Sequence, residues 1–411
     1  MDRRRKRERL SAAKGILTKG SEPMADYTET ELKLQVTAPG IWDELLVSPL
    51  LAADDAEPAV TRSLEARYYD TANQALQQSR LTYRVRREGD RWVATVKGDG
   101  KSAGGLHCRQ EWNVAVEDDA PDIEPFMATP VGFRLRQAVG GAELLPLFIT
   151  RFQRRIFNIS TADGNRIEAA ADRGEIVAGE TDRREPILEV ELELKQGQPV
   201  VLLQLGAELS RRFPLLPEPR SKYYRGLVLA GLTRREDGKS HPPVRLADSD
   251  PLGSCLERIM PEWVQQVLAV QTEFLRRPKE PEALHELQTA LRRLCSLLAF
   301  IQPLLPPKEY IRHKAALQQW DRELEPLRKI EELWTEWRSI CRQTGNELEQ
   351  VLALEHHRQA ERLAASLAAG RTTPLLLELW GWLLKLPWKN SLPSEVSLDT
   401  FVRQRLPQWL E

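Results

Sequence analysis

The chain has 411 residues, with 59 Lys and Arg against 60 Asp and Glu, for a formal net charge of −1. That length suggests two domains, and the balanced charge excludes polyanion binding by a globally basic surface, so any phosphate or nucleic-acid site must be a local cluster. Cys108, Cys255, Cys295 and Cys341 have no zinc-knuckle spacing and the six histidines form no HExxH, so a zinc site and a disulfide framework are both excluded in favour of a reducing compartment.

The first stretch, MDRRRKRERLSAAKGILTKGSEP, is basic and lacks the apolar core of a signal peptide. We read residues 1–23 as a disordered leader in preference to a nucleic-acid-binding arm. A second methionine, Met24, directly precedes the first patterned strand. No run is apolar enough to span a bilayer: WGWLLKLPW is short and broken by lysine and proline, so the expectation is a cytoplasmic protein without a membrane partner.

From about Tyr27 to Leu194 the pattern is β, with Gly, Asp and Pro turns between short alternating runs. Side chains alternate between the two faces of a strand. In TETELKL, Glu29, Glu31 and Lys33 share one face, and Thr30, Leu32 and Leu34 the other. In LTYRVRR, Arg84 and Arg86 oppose Tyr83 and Val85; Glu88-Gly89-Asp90 then supplies a hairpin turn. Lys97 opposes Val96, Arg109 and Glu111 oppose Trp112 and Val114, and Glu189, Glu191 and Glu193 oppose Leu188, Val190 and Leu192. A helix is expected at VVLLQLGAELSRRF, ended by Pro214. Residues 233–250 form a polar, proline-containing linker between a domain at 24–232 and one at 251–411. Beyond the linker, leucines recur at three and four residue spacing, which predicts an all-helical bundle. There Leu284, Leu287, Leu291, Leu294 and Leu298 form an apolar stripe, beside a polar one of His285, Gln288 and Arg292 flanked by Arg293.

Any one charged strand face is what a sheet with one wet side shows. Several together, each mixing carboxylates with Arg or Lys, suit a closed barrel whose charged faces point inward and whose apolar faces are covered by helices. The basic groups would bind phosphate oxygens, and the carboxylates would hold Mg²⁺ or Mn²⁺, which prefer oxygen ligands. A purely basic lumen would bind polyphosphate without cutting it, and a purely acidic one would repel it. Tyr68, Tyr69, Trp92, Trp112 and Phe152 read as packing residues, and His107 as a structural polar residue.

Glu29-Thr30-Glu31-Leu32-Lys33 resembles the ExExK signature of the CYTH, or triphosphate-tunnel, superfamily. The rest follows in order: YYDT at 68–71, Arg84-Val85-Arg86, Thr95-Val96-Lys97, GLHCRQEWNV at 105–114, Arg154, ADRGEI at 171–176, Glu189-Val190-Glu191 and Ser221-Lys222-Tyr223-Tyr224-Arg225-Gly226. The GLHCRQEWNV segment resembles the bacterial inorganic triphosphatase branch. The resemblance implies an α+β protein: an eight-stranded antiparallel barrel with flanking helices, hydrolysing inorganic tripolyphosphate to pyrophosphate and phosphate. By matched position Glu29, Glu31, Glu111, Glu189 and Glu191 would carry metal. Lys33, Arg84, Arg86, Lys97, Arg109, Arg154 and Lys222 would bind phosphate. Glu29, Glu31 and Lys33 would form the catalytic group, with Lys33 either on phosphate or helping to activate water. Asp172 joins the lumen only if its strand phase holds, and Glu193 is assigned a structural salt bridge.

The helical part resembles CHAD domains, which bind polyphosphate; Gln288 and Cys295 replace two expected arginines, while Arg328 is kept in LEPLRKIEELW. His285, Arg292, Arg293 and Arg328 are its candidate polyphosphate ligands. Two alternatives remain: an organic triphosphate hydrolase of the thiamine triphosphatase kind or an adenylate cyclase on the same barrel, and a non-catalytic polyphosphate scaffold.

Overall fold

A computed structural model describes residues 28–52, 58–179, 183–234, 245–340, 347–392 and 396–410. The leader at 1–23, Met24, most of the linker and Cys341 lie outside the described residues.

Eight antiparallel strands close into a barrel: β1 (Thr28–Val36), β2 (Val60–Asp70), β3 (Thr82–Glu88), β4 (Arg91–Ala103), β5 (Leu106–Val116), β6 (Leu145–Ser160), β7 (Arg166–Ala178) and β8 (Arg183–Gln196). Their order is β5-β4-β3-β2-β6-β7-β8-β1, and β1 closes the ring by pairing with β5. A ninth strand, β9 (Leu215–Pro217), adds to the second half of β1. The closing registers set Glu29 beside Arg109 and Lys33 beside Glu191. The turn expected at Glu88-Gly89-Asp90 joins β3 to β4, with Gly89 at φ +64, where a side chain would be strained.

The apolar strand faces point outward and are covered by helices. On one side α4 (Val200–Arg212) lays Leu202, Leu203, Ala207 and Leu209 into a core with Leu32, Leu34, Val190 and Leu192. On another, α3 (Gly132–Val139) covers Tyr83, Val85, Ala94, Val96 and Trp112 with Leu135 and Val139. Two further short helices, α1 (Trp42–Leu46) and α2 (Ala75–Gln78), sit in connections.

One end of the barrel interior is not polar. Leu64, Ala66, Tyr68, Phe148, Phe152, Ile176 and Ile187 form a third cluster with Leu227 of α5 (Lys222–Ala230), so this helix plugs that end. Ser221 caps α5 by accepting a hydrogen bond from the Tyr224 amide at 3.2 Å, which sets Lys222 at its first turn. Gly226 allows the fit: a Cβ there would stand 2.2 Å from the Phe148 ring. Gly226→Ala is therefore expected to destabilise the chain by about 2 kcal/mol through overpacking. An unchanged urea midpoint would show that the plug is not packed this tightly.

From Leu252 the chain is helical: α6 (Leu252–Arg276), α7 (Pro281–Phe300), α8 (Pro307–Ile340), α9 (Glu347–Ala368), α10 (Thr373–Leu384) and α11 (Leu398–Leu410). Pro281 and Pro307 open α7 and α8, where the missing amide hydrogen has no cost. The predicted stripe from Leu284 to Leu298 is buried throughout. The helical part packs onto the barrel, with α10 against α4 and the β4–β5 turn at Gly104 against Leu268 and Trp380.

Candidate active site

The barrel encloses a cavity of about 370 Å³. All seven predicted phosphate-binding cations line it: Lys33, Arg84, Arg86, Lys97, Arg109, Arg154 and Lys222. Glu29, Glu31, Glu111 and Glu191 line it too, so the charged strand faces turn inward together. Glu189 is not on the cavity wall; it is 1% exposed, beneath the floor.

The charges divide into two groups. At the plugged end, Asp172, Glu189 and Glu191 converge, with ligand oxygens within 4.8 Å of one another. The Lys222 ammonium sits among them, 2.7 Å from Asp172 and 2.9 Å from Glu191, with a shorter contact to Glu189. Arg154 grips Asp172 through two bonds of 2.7 Å and reaches Glu191. Lys33 lies 2.6 Å from Glu191, and 3.7 Å from both Glu31 and Glu189. From below, Arg225 donates to Glu189 at 2.9 Å and to Glu185 at 2.7 Å. Burial opposes the Lys33 charge, but Glu191, Glu31 and Glu189 outweigh it and hold the ammonium well above its ordinary range.

On the opposite wall Lys97 bridges Glu29 and Glu111, at 2.6 Å from each. Burial pushes the Glu29 carboxyl up to about 8, against the pull of Lys97 and with help from the charges of Glu31 and Glu111. Arg84 stands 3.9 Å from Glu111, and Arg86 is paired with Glu88. Burial and the neighbouring Arg84 charge lower the Arg86 guanidinium to about 10. The Nε atoms of Arg84 and Arg86 are buried without a hydrogen-bond partner.

The oxygen donors suit a hard divalent cation, but not at every carboxylate. Among Asp172, Glu189 and Glu191 the place is taken by an ammonium. Of the carboxylates on the cavity wall, Glu29, Glu31, Glu111 and Glu191 fit such an ion, while Glu168 and Glu193 flank Lys195.

Two features are not readable from the sequence, and a third is expected there only on condition of its strand phase. Asp172 does face inward, as the alternation from Glu168 through Ala170 requires, and the register sets it beside Arg154. Arg225 has no signal in the sequence beyond its place one helical turn after Lys222 in the SKYYRG run. Tyr68 and Phe152, expected as plain packing residues, line the cavity as well, with Arg154 and Lys222 5.6 and 5.0 Å from the Phe152 ring. Tyr69 and Trp112 do pack under α3. Glu193 pairs with Lys195 at 2.6 Å, and both of them line the cavity together with Glu168. His107 is 1% exposed, and burial together with the Lys33 charge pushes its imidazole down to about 4.

The CYTH domain model matches residues 28–226 and the CHAD domain model residues 259–411. The chain is a CYTH domain followed by a CHAD domain. It is 32% identical over 167 residues to the inorganic triphosphatase of Haemophilus influenzae, a match that spans 39% of this chain and 44% of that protein. The chain thus covers less than half the length of this relative. Among solved structures, it resembles a putative adenylyl cyclase from Hippeastrum described as having a dominant triphosphatase activity, at 18% identity and a TM-score of 0.38, covering 48% of this chain and 95% of that one. It also resembles the RNA triphosphatase domain of a mimivirus mRNA capping enzyme, at 13% identity and a TM-score of 0.30, covering 46% of this chain and 88% of that one.

In the CHAD domain the four candidate residues do not form one group. His285, Arg292 and Arg293 are exposed on α7. Arg292 and Arg293 line a groove with Trp263, Phe300 and Trp409, to which neither His285 nor Arg328 contributes. Arg328 is paired with Glu325 at 2.6 Å and also with Glu332, both on its own helix. Among the described residues no helix is long and apolar enough to cross a membrane.

Proposed function

We propose that the CYTH tunnel hydrolyses inorganic tripolyphosphate to pyrophosphate and phosphate with Mg²⁺ or Mn²⁺. The observation that supports this most is the interleaving of eight cations with inward carboxylates in one closed lumen. A linear triphosphate brings a dense row of oxygens that Arg and Lys can share. Binding it turns Lys33, Lys97 and Arg154 from their carboxylates towards phosphate oxygens. Glu29, Glu31, Glu111 and Glu191 are the residues that would hold the ion. When bound, the ion neutralises phosphate charge and lowers the pKa of a coordinated water. Glu191, Glu31 and Glu189 hold Lys33 as an ammonium before substrate arrives, the form that pairs with phosphate oxygens. Arg84 and Arg86 line the cavity and would meet the charge that spreads over the transferred phosphoryl group. The plug beneath Lys222 and Phe152 keeps that end dry, which strengthens each of these contacts.

One observation favours an organic triphosphate as a second reading. A cleft of about 340 Å³ shares Arg109 and Ser221 with the tunnel and continues along Tyr224, Gln265, Gln266 and Leu268. Such a mixture of amides and apolar groups suits a ring attached to a phosphate. The CHAD domain, with Arg292 and Arg293 unpaired over an aromatic groove, is proposed to bind polyphosphate.

The deciding experiment is phosphate release from tripolyphosphate, ATP and thiamine triphosphate with Mg²⁺, Mn²⁺ or EDTA. We expect fast cleavage of tripolyphosphate that EDTA abolishes. A preference for ATP or thiamine triphosphate moves the function to the second reading. No turnover of any of them, with polyphosphate still bound, leaves a scaffold.

A further inference from the structure

We propose that His107 is the positioning residue for Arg109, and that the two together form the tunnel's standing anion receptor. The inference rests on the reading above, in which Arg109 binds phosphate. Among the described residues the other seven lumen cations each face a carboxylate: Lys33 faces Glu191, Arg84 Glu111, Arg86 Glu88, Lys97 Glu29, Lys195 Glu193, and both Arg154 and Lys222 face Asp172. Arg109 instead lies 3.0 Å from a ring nitrogen, its Nη2 against His107 Nδ1.

The tautomer follows from the partners. A guanidinium only donates, so Nδ1 must accept. On the other side Nε2 stands 3.1 Å from the Glu218 carbonyl oxygen, which only accepts, so Nε2 carries the proton. The ring is therefore a neutral imidazole that orients Arg109 without cancelling its charge. A carboxylate in its place would orient the guanidinium and neutralise it.

The anchor behind the ring is firm. The Glu218 amide donates to the Lys33 carbonyl at 2.9 Å, and Ser102 Oγ donates to the Pro219 carbonyl at 2.7 Å. The Glu218 carboxylate holds Arg220 through bonds of 2.8 and 2.6 Å. The same segment leads into Ser221 and Lys222, so one imidazole ties Arg109 on β5 to the segment that presents the plug lysine. Arg109 also lies where the tunnel meets the cleft. A phosphate arriving there breaks no ion pair among the described residues, whereas each of the other seven cations must first leave a carboxylate. Arg109 thus sets affinity for the substrate before any metal is bound.

The test measures tripolyphosphate affinity by calorimetry in EDTA for wild type, Arg109→Ala, His107→Leu, His107→Gln and the double variant His107→Leu/Arg109→Ala. We expect Arg109→Ala and His107→Leu each to weaken binding by about tenfold, and the double variant to be no weaker than Arg109→Ala, as for groups acting as one unit. A glutamine amide can donate to the Glu218 carbonyl and accept from Arg109, so His107→Gln should stay within about threefold of wild type. Wild-type affinity in His107→Leu, with Arg109→Ala still weak, overturns the positioning role and leaves Arg109 as a phosphate ligand. Wild-type affinity in Arg109→Ala overturns both. Losses that multiply in the double variant show that His107 acts through the fold and not through Arg109. Should the leucine variant not fold, the glutamine variant decides alone: folded but as weak as Arg109→Ala, it overturns the proposal.

Discussion

Glu31→Ala is expected to lower metal-dependent cleavage of tripolyphosphate by at least about a thousandfold while the barrel stays folded. Glu31 faces open cavity, 3.7 Å from Lys33, and its carboxylate is one of the four that fit a divalent ion. Its removal costs an ion ligand without leaving a buried charge stranded, because Lys33 keeps Glu191 at 2.6 Å and Glu189 at 3.7 Å. Binding of tripolyphosphate in EDTA should therefore persist, and the loss should fall on kcat. The measurement is steady-state phosphate release in Mg²⁺ and Mn²⁺ beside a urea unfolding curve. Turnover within about tenfold of wild type would remove Glu31 from the metal site and with it the main support for hydrolysis over simple binding.

The largest effect on stability is expected at Lys222. Lys222→Met removes the ammonium around which Asp172, Glu189 and Glu191 converge, and breaking a buried ionic group in this way costs about 3–5 kcal/mol. The pH dependence has a definite sign. In the wild type, burial is outweighed by Lys222 and Lys33, which hold Glu189 and Glu191 below their ordinary values. That stability is present above the unfolded carboxylate range and is lost as pH falls through the depressed folded values. In the variant Glu189 loses its nearest cation and Glu191 one of three, so their folded pKa values rise and protonation relieves the defect. The gap between wild type and variant should narrow as pH is lowered from 8 to 5. A gap of less than about 1 kcal/mol, or one that does not change with pH, would mean that Arg154, Arg225 and Lys33 neutralise the triad without Lys222.

How far the site could be read from sequence follows strand parity. Glu29, Glu31 and Lys33 share a face because side chains alternate, and the same local rule places Arg84 with Arg86 and Arg109 with Glu111. These positions all reach the lumen. The outward helix at Val200–Arg212 was also legible, because it ends before Pro214 and has an apolar face. What parity cannot supply is depth along the barrel axis. Glu189 and Glu191 share a face, yet one lies under the floor and the other on the wall, because only the closing register and the plug decide which is reached. Partner choice was hidden for the same reason: Lys97 bridges Glu29 and Glu111 from two other strands, and no local pattern announces that. Tyr68 and Phe152 belong to the inner apolar cluster and to the cavity at once, a double role that hydrophobicity alone does not signal. In the helical part the stripe from Leu284 to Leu298 was legible from its period, but the neutralisation of Arg328 by Glu325 and Glu332 required the rotamers of an actual helix.

The plug helix also bears on how the chain reaches this state. β1 is made first, yet its edges wait for β5 and β8, and the floor beneath its Lys33 waits for α5. A ribosome must therefore release residues 28–230 before the lumen charges find their partners. Contacts so distant in sequence make closure slow and leave open strand edges in the interim. Charged inner faces are a safeguard during that wait, since Glu29, Glu31 and Lys33 on an unpaired β1 discourage pairing with a neighbouring nascent chain. The residues proposed to meet phosphate in the finished barrel thus also keep its unfinished strands apart.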